Sequence, residues 1–438
     1  MRKSGFSLLS LVAGVCLFPT AAFAQDAPPP APPADAPAVA PATPATQPGA
    51  GPQQAPPPAA MPPEPAVGEA PPPPAGPAEA VAAPAPTYPS TTIGGGIEGT
   101  YHRVLGSPHT PEGYVTDPDS GAPVQAFAGA VPTRAYDSAN GFALNQASLY
   151  VKHQLNESIY GVIRFDAGAN AGINSFGTSR LFDVREAYAV AQGYGLVFTA
   201  GKFGTYQGVE LIDGWANGAV TRGFLYYLAE PLTHTGAKLH YTTDKFDVGV
   251  GVVNGWDTNN GVFATGDNNP QKTVIWRAAV TPVPQFFAAF SGTYGVEKPM
   301  SGVDPRLSLD LTGAVTPIPS LVLNFQGNYG SEKNSSVVTG ETAKWMGFGL
   351  FPVYKIDAFQ IGARFEYFQD KGLSRTLFAP PSGATKVNLL NFAIAPGYTI
   401  ANAMLLRAEF RVDRANEEVL WGGKKTQTSL ALSAAYYF

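Results

Sequence analysis

TQTSLALSAAYYF, residues 426–438, closes the chain and reads with a period of two. Leu430, Leu432, Ala434, Tyr436 and Phe438 fall on one face, and Ser429, Ala431, Ser433 and Ala435 on the other. Successive side chains of an extended strand point to opposite sides, so the stretch predicts a strand with one apolar and one small or polar face. An aromatic residue in the last position, on the apolar face, is the pattern of the terminal strand of an outer-membrane barrel. Tyr436 and Phe438 are therefore the candidate assembly signal, read by the barrel-assembly machinery.

The same period recurs upstream. Met404, Leu406, Ala408, Phe410 and Val412 alternate with Leu405, Arg407, Glu409, Arg411 and Asp413. Ile361, Ala363, Phe365 and Tyr367 alternate with Gln360, Gly362, Arg364 and Glu366. Leu307, Leu309 and Leu311 alternate with Arg306, Ser308, Asp310 and Thr312, and Ile159, Ile163 and Phe165 with Tyr160, Arg164 and Asp166. Period two suits a soluble sandwich as well as a membrane barrel, which turns its apolar face outward to lipid and its polar face to the lumen.

Turn lengths separate the two. Short connections are expected at Leu155–Ser158, Gly193–Gly195, Asp244–Lys245, Pro282–Gln285, Pro317–Ser320, Ile356–Asp357 and Thr399–Ala401. Between them fall longer ones near 104–140, 170–181, 205–232, 256–270, 297–304, 333–341, 370–386 and 414–424. Tight turns at one end and long loops at the other mark an up-and-down transmembrane barrel. Seven short and eight long connections join sixteen strands, within two, and an even count puts both termini at the same, periplasmic, end. Trp215, Trp256, Trp276, Trp345 and Trp421 fall near strand ends, where aromatic girdles are expected at the headgroup level.

The N-terminal part is of another kind. Arg2 and Lys3 precede an apolar core and an Ala22-Phe23-Ala24 cleavage signal, so residues 1–24 read as a secretory signal peptide. Cys16, the only cysteine, lies inside it; the exported chain is expected to hold together without disulfides. Residues 25–90 contain 24 prolines in 66 positions, a composition that cannot bury a core and predicts a disordered Pro/Ala-rich linker. Contact with the periplasm or cell wall is the partner role open to it. The barrel is expected over 91–438. Net charge is −5 for the whole chain, and the barrel part is close to neutral, which gives no reason to expect nucleic-acid binding.

Sixteen strands leave an aqueous lumen where eight would be filled by side chains. The expected lumen face carries Arg164, Arg185, Arg277, Arg306, Arg364, Arg407 and Arg411 with Asp166, Asp183, Asp310, Glu366, Glu409 and Asp413. Such charges are costly in a dry core and cheap in a hydrated pore. The loop 205–232, TYQGVELIDGWANGAVTRGFLYYLAEPL, is too apolar for a free surface loop. It is expected to fold into the barrel and narrow it, with Glu210 and Asp213 on its open side facing arginines across the lumen. No phosphate-binding loop, HExxH or nucleophile elbow occurs. His234 and His240 share a face with Lys238 between them, which argues against a metal site. No catalytic residue, cofactor or metal is expected.

Several segments together resemble the β-barrel porin-2 (OmpL-like) family over roughly 93–438. They are Asn145-Gln146, Glu186-Ala187-Tyr188, Gly201-Lys202-Phe203, Gly208-Val209-Glu210, Pro231 to Gly236 and Asn254-Gly255-Trp256. They continue with Arg364 to Phe368, Asp370, Gly372, Leu406 to Arg411 and Phe438. The resemblance implies an outer-membrane porin and names no solute. The expectation is a barrel passing small polar solutes or ions, set in outer-membrane lipid, with a homotrimer as the assembly open to it. The alternative is a barrel enzyme or adhesin acting through its external loops.

Overall fold

The computed structural model describes residues 88–105, 141–174, 182–256, 269–297, 304–376, 380, 382–420 and 424–438, and the backbone of a small hairpin, Tyr114–Thr116 with Pro123–Gln125. The expected leader and nearly all of the proline-rich segment lie outside the described residues, as does Trp421.

Sixteen strands close into one antiparallel barrel, each paired with its neighbour in sequence and the last with the first. The first eight are β1 Ser90–Leu105, β2 Gly141–Asn156, β3 Ile159–Ala167, β4 Phe182–Gly193, β5 Leu196–Gly204, β6 Thr233–Thr242, β7 Phe246–Val253 and β8 Thr273–Val283. The second eight are β9 Phe286–Val296, β10 Pro305–Ile318, β11 Leu321–Glu332, β12 Ala343–Ile356, β13 Phe359–Lys371, β14 Lys386–Ile400, β15 Met404–Ala415 and β16 Thr426–Tyr437. All seven expected short connections stand between consecutive strands at one end, and the eight longer ones at the other. No described helix is long and apolar enough to cross a membrane, and the crossing is made by strands.

The alternation falls as read. Leu430, Leu432, Tyr436 and Phe438 point outward and are exposed, while Gln427, Ser429, Ala431, Ser433 and Ala435 are buried inside. Phe365, Phe392, Ile394 and Phe410 continue the outer apolar surface on neighbouring strands. Closure forbids a free edge, so every strand finds its backbone partners within the wall, as a lipid environment demands. The seam between β16 and β1 ends on Phe438, whose N–H donates to the Gly95 carbonyl at 3.0 Å, with the Gly95 N–H returning to the Phe438 carbonyl at 3.0 Å.

Two tryptophans differ from the girdle expectation. Trp256 and Trp345 are buried, edge to face, with ring centres 6.1 Å apart. They belong to an apolar cluster inside the barrel with Phe224, Leu225, Leu228, Phe351, Phe368 and Leu389. Proximity to a strand end does not say which way a ring points; Trp345 sits on the inward phase of β12. Trp276 is half-buried on the outward phase of β8, and Trp215 half-buried in the loop 205–232.

Candidate functional site: the inward loop and the lumen wall

The long loop between β5 and β6 lies inside the barrel. It contains a short 3₁₀ turn, Gly214–Ala216, and a π-helical turn, Leu225–Ala229. Phe224, Leu225 and Leu228 are buried in the cluster just described, against Phe351 and Phe368 of the wall. Burial of these side chains supplies about 1.5–3 kcal/mol each and accounts for the loop's inward fold.

A backbone lying inside a barrel has N–H and C=O groups that the strands have no spare partners for, and leaving them unpaired and buried is costly. The charged wall residues fill that need. Glu409 accepts from the N–H of Val220 at 2.6 Å and of Thr221 at 2.9 Å, and also from the Thr221 hydroxyl. Glu366 accepts from Phe224 N–H at 2.8 Å and Leu225 N–H at 3.2 Å. Arg407 donates to the carbonyls of Asn217 at 2.7 Å and Ala219 at 2.9 Å, and Arg411 to that of Arg222 at 2.7 Å. Arg364 donates to the Thr221 carbonyl at 2.5 Å and to Glu210 Oε1 at 2.7 Å. Carboxylates thus serve the loop's donors and guanidiniums its acceptors. All five wall residues are buried, so they are clamped between loop and wall and do not face open water.

The acids of the loop correct the expectation in the same way. Glu210 is bonded directly to Arg364, and also accepts from Gly223 N–H at 2.6 Å. Asp213 meets Arg164 at 3.0 Å, Arg185 at 2.6 Å and the Gln146 side-chain amide at 2.9 Å. Neither acid faces an arginine across open water, because a charge in a narrow lumen gains more from a direct charge-assisted bond than from a distant field. Asp166 completes the second cluster, 3.1 Å from Arg185. Arg277 stands apart from the loop acids, 3.4 Å from Asp247.

Several participants escaped the sequence reading. Glu98 receives Arg407 Nη2 at 2.6 Å and the Asn145 amide at 2.5 Å, both pairs fully inside. Its strand is rich in glycine and small residues, and only the inward phase of residue 98 signalled it. Glu230 accepts from Gln326 at 2.8 Å, and the same amide donates to Asp310 at 2.8 Å. Burial, and next the charge of Asp310, hold the Glu230 carboxyl well above the usual carboxylate range. Gly208 takes a positive φ of 96° beside that carboxyl, and a Cβ there would lie 2.2 Å from Glu230 Oε1, so only glycine fits. At Gly362 a Cβ would lie 2.1 Å from the Gly218 carbonyl oxygen, which brings loop and β13 backbones into direct contact. Gly362→Val is expected to lift the loop locally without changing any charge. Single-channel recordings should then show added noise or substates, and a trace like the wild type would contradict the contact.

Tyr206, His240 and Asp247 form a hydroxyl–imidazole–carboxylate chain, with the Tyr206 hydroxyl against His240 Nε2 and His240 Nδ1 3.0 Å from Asp247 Oδ2. Tyr206 is 5% exposed, so its hydroxyl is closed to a substrate and ties the start of the loop to β6 and β7. His234 bonds separately, to the Gly255 carbonyl and the Thr205 hydroxyl. Among the described residues no group of three or more His, Cys, Asp or Glu side chains could hold a metal ion.

The loop does not close the lumen evenly. On β13 to β15 every inward position but Thr399 is buried, whereas Tyr150, Lys152, Tyr160, Tyr188, Lys238 and Asp247 on β2 to β7 remain half-exposed. Inward Thr316, Val322, Asn324 and Val353 on β10 to β12 are half-exposed as well, so the residual space lies off-centre, away from β13 to β15.

A closed barrel of sixteen strands, apolar outside, with a charged wall and an inward third loop, is the fold of an outer-membrane porin. The chain belongs to the family described as "Putative beta-barrel porin-2, OmpL-like", whose model matches residues 92–438. Comparison with curated protein sequences gives no match. Among solved structures the chain is similar to an anion-selective porin from Comamonas acidovorans, at 9% identity and a TM-score of 0.52, over 80% of this chain and 99% of that one. It is also similar to OmpF of Salmonella typhi, at 11% identity and a TM-score of 0.51, over 80% and 98%. A third is OmpT, an outer membrane protein of Vibrio cholerae, at 14% identity and a TM-score of 0.50, over 80% and 97%. At these identities the likeness is one of fold.

Proposed function

We propose that the protein is a diffusion porin whose passage, for small polar solutes or ions, runs between the inward loop 205–232 and the wall formed by β2 to β7. The observation that supports this reading is the uneven burial of the lumen face, all but sealed on β13 to β15 and half-open on the strands away from them, β2 to β7 among them. Chemistry on a substrate is not part of the proposal; in the Tyr206–His240–Asp247 chain described above the hydroxyl-bearing and imidazole residues are buried, and the chain ties the loop to the wall. Folded protein in planar bilayers should give ohmic single-channel steps, and a silent membrane containing folded protein would remove the reading.

In this reading both termini and the short turns face the periplasm. The apolar seam end serves assembly, so Phe438→Lys, which puts a charge on the lipid face beside the closing hydrogen bonds, is expected to cut the folded yield in the outer membrane several-fold; a charge near the membrane interface costs up to about 1 kcal/mol. Normal yield would contradict it. Three copies are the assembly we propose. β3 and β5 have 9 residues and β7 has 8, against 14 in β12 and 15 in β14, so the wall is low on one side. A low wall facing neighbouring copies avoids the mismatch it would have with lipid. Light scattering that found only monomers in mild detergent would refute this.

A further inference from the structure

The wall beside the passage steps down in tyrosines. Register puts Tyr150, Arg164 and Glu186 in one cross-strand row of β2 to β4. The next row toward the short turns holds Lys152, Val162, Tyr188, Gly201 and Gly236. The row after that holds Gln154, Tyr160, Val190, Thr199 and Lys238. Residues two apart on a strand share a face, so successive inward rows lie about 7 Å apart along it. Tyr150, Tyr188 and Tyr160 therefore stand on three successive levels between the long-loop end and the short turns.

All three are half-exposed on the inward phase of their strands. Each is also held in place. Arg164 lies 4.9 Å from the centre of the Tyr150 ring and the Lys152 ammonium 4.2 Å from that of Tyr160, while Tyr188 packs on the cluster of Phe203, Tyr206, Val253 and Ile275. A ring already held loses little freedom when a solute lies against it.

The charges around these levels are matched. Arg164 meets Glu186 at 3.4 Å and Asp213 at 3.0 Å, and Arg185 meets Asp166 at 3.1 Å and Asp213 at 2.6 Å. Lys202 meets Asp183 at 3.2 Å and Arg277 meets Asp247 at 3.4 Å, while Lys238 acts on the Glu186 carboxyl. An ion of either sign finds these opposite charges engaged with one another. A hydroxyl group, which donates and accepts at once, suits such a wall. The half-exposed Asp213 and Asp247 offer acceptors, and the half-exposed Lys152 and Lys238 offer donors.

We propose that these three levels form a path for neutral carbohydrate. Pyranose rings lay their C–H faces on Tyr150, Tyr188 and Tyr160 in turn, while the hydroxyls at the ring edge bond to the matched charges. The face of an aromatic ring is negative and attracts C–H groups. Several weak sites in series hold a solute well enough to enter and loosely enough to leave. The inference rests on the porin reading and goes beyond it by naming the solute class.

The test is the potassium chloride current through the full-length protein in planar bilayers, with maltotriose added. A sugar resting in the passage should lower the current saturably. A polyethylene glycol of equal mass, which has no rigid ring face, should lower it only in proportion to its concentration. Tyr160→Ala and Tyr188→Ala should each raise the half-blocking maltotriose concentration at least about threefold. Tyr188→Phe should leave it near the wild-type value, because the ring and not the hydroxyl makes the contact. A conducting channel that maltotriose does not block, or blocks no more saturably than the glycol, would overturn the inference and leave the porin reading intact. The same holds for a saturable block that neither alanine variant weakens. Absence of current from folded protein would overturn both. If Tyr188→Ala fails to fold, the wild-type block and Tyr160→Ala, on a separate level, still decide the matter.

Discussion

Deleting residues 212–228 is expected to raise single-channel conductance by roughly two- to fivefold, since a sixteen-stranded barrel without its inward loop has an aqueous lumen. The segment carries the buried Phe224, Leu225 and Leu228 and all the loop groups bonded to Glu366, Glu409, Arg407 and Arg411. Its removal would return those four wall residues to water, where their charges are cheap. The barrel is therefore expected to stay folded, because every strand keeps its two neighbours. The selectivity should also weaken, since the passage would no longer be confined to the β2–β7 side. Unchanged current in planar bilayers would show that the loop does not limit conduction.

Arg364→Met should release the loop without shortening it. Arg364 is buried and donates to Glu210, to the Thr221 carbonyl and hydroxyl, and to Asn391 Oδ1 at 2.7 Å. Methionine approximates its stem but supplies none of these bonds, and Glu210 would keep only the Gly223 N–H. Stranding a buried charge in this way costs about 3–5 kcal/mol. The loop should then visit open states, and trypsin should cut after Arg222, which is 0% exposed in the native loop. Limited proteolysis followed by mass spectrometry checks this; equal resistance of wild type and variant at Arg222 would show that Arg364 does not hold the loop. Conductance fluctuations should accompany the cleavage, because both report the same excursion.

Much of the barrel was legible from residue order. Leu430, Leu432, Tyr436 and Phe438 announce their outward face by period alone, and Arg407, Glu409 and Arg411 their inward one, because side-chain direction in a strand is a local property. The short turns were legible for the same reason. The inward loop was legible through its apolar content, since Phe224, Leu225 and Leu228 need a surface to bury against. What those residues meet was not. Glu210 and Asp213 were read as facing arginines across water, yet each is bonded directly to one. Trp256 and Trp345 were read as girdle residues, yet they meet edge to face inside the barrel. Glu98, the partner of Arg407, was not singled out at all: the two are 309 positions apart, and nothing local links them.

Alternation and turn lengths were enough to determine a membrane barrel of about sixteen strands, within two, since each follows from the chain's immediate neighbourhood. Only the closed structure decided what the lumen charges are for. Which guanidinium meets which loop carbonyl, and which side of the lumen stays open, depends on where a 28-residue loop comes to rest against strands far away in the chain. The physical reason is that a backbone enclosed in a barrel must have its polar groups satisfied, and the partners for that are chosen in space.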